Sequence, residues 1–201
     1  ARQLQQRQTA LLESEELTVK GLESGDKLIQ EFCIAIAGQK AYGTAILIEL
    51  ASHETDRARL FALLAALSRS QPPAARDIFR AHLEHPDAIV ATIAVEMAGC
   101  YADEEAVPAL MRHVNAAETD QNYSECSLLT AGAIQSLGQI ATPAAVKFLA
   151  SKLHHRNPTA RRLVHAALTS IGSAAVEPVA ARLMEGNPDE AIMAANVLGL
   201  I

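Results

Sequence analysis

The sequence predicts an all-α solenoid (a superhelix) of about five and a half helix pairs, on three observations. Half of the 201 residues are hydrophobic but only 3% are aromatic, with no Trp, while 39 are Ala. That balance suits closely packed helices and is poor for sheets. A small residue ending an apolar helix recurs at Gly38, Ser68, Gly99, Gly138, Gly172 and Gly199, at intervals of 30, 31, 39, 34 and 27 residues, inside the range of helical repeat arrays. Between the marks, residues 75–83, 106–114, 145–153 and 175–183 superpose without a gap. In each, the first, fifth and ninth positions are apolar, the stripe of a helix buried on one face.

In chain order, a leading helix over 2–20 carries Leu4, Leu11, Leu12 and Val19, with Leu22 just past its end, among Gln, Arg and Glu. It reads either as an N-terminal cap of the stack or as a partner-binding or coiled-coil helix. Pairs follow at 26–38/41–52, 56–69/73–84, 87–101/104–117, 124–140/143–154 and 158–171/174–185, with a last helix from 188. Asp26, Asp56, Asp87, Asn157 and Asn187 stand where side-chain caps belong. All eight prolines fall at helix starts, where a missing N–H costs least: Pro72, Pro73, Pro108, Pro143 and Pro178 at second helices, Pro86, Pro158 and Pro188 at first helices. The domain division is therefore a leading helix over 1–24 and a repeat domain over 25–201. The apolar run 195–201 is expected to continue into a longer chain or to form a homodimer edge.

The stretches Asp103-Glu104-Glu105-Ala106-Val107-Pro108-Ala109-Leu110 and Arg161-Arg162-Leu163-Val164-His165-Ala166-Ala167-Leu168-Thr169-Ser170-Ile171-Gly172, continuing to Val179, resemble HEAT-like repeats of the bilin-lyase type. The resemblance covers about residues 26–201, is strongest after 87 and implies the α-solenoid. For function it implies only a range, because such repeats serve chromophore lyases, hydroxylases, glycosylases and plain adaptors.

A net charge of −6 argues against a general nucleic-acid binder, which needs a basic surface, and the lack of Trp argues against a base-stacking glycosylase. No apolar run reaches the roughly 20 residues of a membrane span, so a cytoplasmic protein is expected. Cys33, Cys100 and Cys126 are far apart and without a Cys-x-x-Cys pair, which reads as buried reduced thiols. No metal or other cofactor is expected: His82 and His85 stand three apart without further ligands nearby, and the His-Glu pairs of HEAT-type hydroxylases are not matched where Ala166 follows His165.

Three candidate binding features remain. The eighth positions of the four superposed segments hold His82, His113, Lys152 and Arg182, a row of cations suited to an acidic segment of another protein, or else helix-end charges facing the dipole. Arg156, Arg161 and Arg162 surround the helix start at Pro158, where unpaired N–H groups would hold a phosphate or carboxylate. Asn122 and Tyr123 lie in the insertion that lengthens the 39-residue interval, which projects from one face of a solenoid. The expected function is a non-catalytic, adaptor-like protein-binding module. The alternative is a bilin-lyase-like subunit holding an open-chain tetrapyrrole and its acceptor protein.

Overall fold

The computed structural model describes residues 14–119 and 126–201, and every regular element among them is helical. The chain divides between Phe79 and Arg80 into two compact units.

The first unit contains α1 (Glu15–Leu22), α2 (Lys27–Ala37), α3 (Gly43–His53) and α4 (Arg57–Ser70). A 3-10 turn, Pro73–Ala75, then leads into α5 (Arg76–Ala81), within which the unit boundary falls. Helix α1 packs on α2, α2 on α3 and α4, and α3 on α4, burying Leu22, Ile34, Leu47, Leu63, Leu64 and Leu67. The expected helix over 2–20 is not continuous: α1 starts at Glu15, because Ser14 is extended (φ −104, ψ 114) and caps it by accepting the Leu17 N–H at 3.3 Å, and it runs two residues past the expected end at Lys20; residues 2–13 lie outside the described residues.

In the second unit, α6 (Ala88–Cys100) is followed by a 3-10 turn, Glu104–Ala106, and α7 (Val107–Thr119). Next come α8 (Leu128–Ile140), α9 (Pro143–Ser151) and α10 (Pro158–Ile171). A 3-10 turn at Gly172–Ala175, α11 (Val176–Glu185) and α12 (Pro188–Leu198) complete it. First helices pack on first helices, α6 on α8 on α10 on α12, and second helices on second helices, α7 on α9 on α11. That two-row stacking is the solenoid, and it explains the repeat of small residues. A Cβ on Gly99 would stand 2.7 Å from Ser136 Oγ, and one on Gly138 would stand 2.9 Å from Ala167 Cβ, so α6, α8 and α10 approach too closely there for any side chain.

The apolar stripe is buried as predicted at every position but one. Ala75, Phe79 and Leu83, Ala106, Leu110 and Val114, Ala145, Leu149 and Leu153, and Ala175 and Val179 are all inside, whereas Leu183 is 37% exposed. The difference is that a following second helix covers α7 and α9, while none among the described residues covers α11.

All five expected caps form. Asp26 accepts from the N–H of Leu28 at 2.9 Å, Asp56 from Arg59 at 2.8 Å, Asp87 from Ile89 at 3.0 Å, Asn157 from Thr159 at 2.8 Å and Asn187 from Glu190 at 2.9 Å. The C-terminal boundaries differ from expectation. Helices α5 and α9 stop at Ala81 and Ser151, three residues early, because the chain tightens there into i→i+3 turns: His85 N–H donates to the His82 carbonyl at 3.2 Å and His155 N–H to the Lys152 carbonyl at 2.9 Å. Helix α8 begins at Leu128 under a Ser127 cap rather than at 124.

The thiols are only partly as expected. Cys33 is buried and Cys126 half-buried, and burial pushes both pKa values up, but Cys100 ends α6 on the exposed side. The stretch Pro158–Glu185 has the length of a membrane span and contains an 18-residue window as apolar as one. Gly172, at φ 72 and ψ −133, breaks it into α10 and α11 of 14 and 10 residues, each shorter than the roughly 20 a span needs.

Candidate binding surface on the second helices

The four eighth-position residues all belong to the second unit, and the structure gives them unequal tasks. His113 Nε2 donates to the Leu83 carbonyl at 2.7 Å, reaching back to the preceding pair. Lys152, the C-cap of α9, reaches back in the same sense: its Nζ bonds the Glu118 carboxylate of α7 and lies 5.3 Å from the centre of the Phe148 ring, and its side chain is only 14% exposed. These two side chains therefore join neighbouring pairs instead of facing solvent as a row. Arg182, half-buried in the last turn of α11, has no ion-pair partner among the described residues. The His82 ring stands 5.8 Å from that of His85, past the end of α5. Helix-end electrostatics do not account for His113, since α7 continues six residues beyond it to Thr119.

The cluster at the start of α10 also differs from a simple anion cradle. Pro158 has no N–H, Asn157 Oδ1 takes the N–H groups of Thr159 and Ala160, and the Arg161 N–H bonds the Asn157 carbonyl. The unpaired backbone donors that an anion would use are thus occupied, which leaves the guanidinium groups alone. Arg162 and Arg156 are exposed, with an Arg156 Nη1 directed at the Glu118 carbonyl 3.5 Å away, and Arg161 is half-buried beside His155 and His165. Asn122 and Tyr123 lie outside the described residues.

Arg80 was not singled out by its sequence context, yet it is the most committed charge of this surface. From α5 its Nε and Nη2 donate to the two carboxylate oxygens of Asp103, each at 2.8 Å, and its Nη1 lies 2.9 Å from Glu105. Asp103 is 3% exposed and also caps the Glu105 N–H. One signal was available: the sixth position of the other three segments holds Met111, Ala150 and Ala180, so Arg80 is the odd cation in an apolar column. Beside it Arg112 and Glu84 pair at 2.6 Å in the open, and a cleft of about 220 Å³ opens between the pairs, floored by Leu83 and Pro108. The Arg112 guanidinium, hydrogen-bonded to Glu84 and charged beside it, holds that carboxyl below the usual range. Among the described residues no group of three His, Cys, Asp or Glu could hold a metal.

No family model matches the chain, and no curated protein matches it. Solved structures do. The complex of CpcE and CpcF of phycocyanin lyase from Nostoc sp. PCC7120 superposes with a TM-score of 0.63 at 19% identity, over 92% of this chain and 76% of that one. The fold is a helical-repeat solenoid. An engineered protein superposes similarly, with a TM-score of 0.58 at 19% identity, over 92% of this chain and 95% of that one. At such identity the likeness is one of fold.

Proposed function

We propose that this chain binds another protein through its repeat surface, as a subunit of an assembly of the phycocyanin-lyase kind. The observation that carries the reading is the superposition on one chain of a lyase complex over 92% of this chain. It favours the lyase-like version, in which the solenoid holds an open-chain tetrapyrrole and its acceptor protein, over the plain adaptor. The surface assigned to the partner is the second-helix side of the second unit, with the cleft lined by Arg80, Glu84, Glu105 and Arg112 and with Arg182 on α11, joined by Arg156 in the turn before α10 and Arg162 near the start of α10 as further charges for an acidic segment. The adaptor version keeps the same surface and no pigment.

Native mass spectrometry of the protein purified from its own cells, with an absorption spectrum of the same sample, tests both versions. A companion polypeptide together with a visible band supports the lyase-like subunit, and a companion without a band supports the adaptor. A bare chain without a band, which also takes up no added open-chain tetrapyrrole, sinks the lyase-like version; a doubled mass would turn attention to a homodimer.

A further inference from the structure

The turn between the fourth and fifth pairs contains a buried histidine that the binding surface does not use. His155 is 0% exposed. Its Nδ1 accepts the backbone N–H of Asn157 at 3.1 Å, so that nitrogen carries no proton and the ring is neutral, with its hydrogen on Nε2. Nε2 is buried with no hydrogen-bond partner among the described residues; the Val114 carbonyl of α7 lies near the ring without completing the bond. Charged groups face the ring from three directions: Glu118 near the end of α7, Lys152 at the C-cap of α9 and Arg161 in the first turn of α10. Glu118 is already bound to Lys152, so its charge is shared.

A proton on Nδ1 would turn an acceptor into a donor and set it against the Asn157 N–H. It would also add a third cation beside Lys152 and Arg161, on a side chain that solvent does not reach. Asn157 is itself buried and supplies the cap of α10 through its side chain, so a displaced His155 ring takes away one of the bonds that hold the capping residue.

We propose that His155 is a proton-sensitive latch between the third, fourth and fifth helix pairs, closed when the ring is neutral and released, with the α10 cap, when it is protonated. Burial, the largest influence on the ring, holds it neutral below the ordinary histidine value of 6.5. A histidine whose folded value is depressed is neutral in both folded and unfolded chains above about 6.5, so the latch is closed at pH 7.5 and loses hold as the pH falls through the folded value.

Hydrogen exchange of the full chain at pH 7.5 and 5.5, normalised to intrinsic rates, is the test. The expected result is a loss of protection over residues 153–163 at the lower pH of several-fold and at most about tenfold, the ceiling for one histidine whose open form titrates near 6.5, with α6 unchanged. His155→Asn keeps an acceptor near the Nδ1 position and cannot be protonated there, so this variant should lose the pH effect, while His85→Asn, which alters the equivalent bond to the Asp87 N–H, should keep it. Equal pH dependence in wild type and His155→Asn, or none in wild type, overturns the proposal. If that variant does not fold, NMR titration of the wild-type ring decides: a midpoint at or above 6.5 overturns it, and a lower one at which Asn157 amide protection is lost supports it.

Discussion

Two arginines on neighbouring second helices show how burial decides what a charge is worth. Arg80 grips Asp103 with a two-bond fork inside the protein, whereas Arg112 meets Glu84 with both side chains more than half exposed, at 60% and 58%. Removing one partner of a fully buried pair costs about 3–5 kcal/mol, because the other charge is left without compensation. Arg80 is 26% exposed, so water relieves part of that loss, and Arg80→Ala is expected to destabilise by about 2 kcal/mol, with Arg80→Lys recovering little because an ammonium cannot reproduce the fork. Glu84→Gln, by contrast, should leave the urea midpoint where it is. Equal midpoint shifts for the Arg80 and Glu84 variants would overturn this ranking.

At the scale of the element, the starts of α2, α4, α6, α10 and α12 were legible in the sequence because each rests on a local rule, whereas those of α1 and α8, under Ser14 and Ser127, were not. Asp26, Asp56, Asp87, Asn157 and Asn187 cap helices whatever else packs on them. A second device was less legible because three chemistries fill one place: Ser24, Glu54, His85 and His155 each stand two residues before a cap and accept its backbone N–H through a side chain. Helix ends were less legible, since the stops at Ala81 and Ser151 follow from turns that hand the chain to those same histidines. The cation row was visible as a pattern, but its use was not, because Glu118 and the Leu83 carbonyl meet Lys152 and His113 only once the pairs have stacked. The spacing of small residues was visible too, and its cause is steric. Gly138→Ala would press a methyl group 2.9 Å from Ala167 Cβ, forcing α8 and α10 apart. The expected cost is about 1–3 kcal/mol despite the better helix propensity of Ala, and a thermal midpoint at or above wild type would show that the helices slide apart freely.

For the molecule as a whole, the buried His155 and the half-buried His165 make acid the natural stress. His155 and His165 are both depressed below 6.5, each chiefly by burial, with the Glu118 charge and the Val114 carbonyl opposing the shift at His155 and the Leu153 carbonyl opposing it at His165. An unfolded chain takes up protons at these side chains near 6.5 while the folded chain resists, so acidification favours unfolding. Their effect on stability is absent above about 6.5 and grows as the pH falls through the two depressed values. Glu84 does not interfere in this range, because a carboxylate lowered from 4.5 loses its stabilising effect only below that value. Urea unfolding at pH 7.5, 6.5 and 5.5 should therefore show a falling midpoint at a constant slope, and replacing both histidines with Asn should flatten the profile even if the variant is less stable at every pH. A wild-type midpoint that is level from pH 7.5 to 5.5 would mean that the repeat seams admit a proton without cost, and that these histidines are held by shape alone.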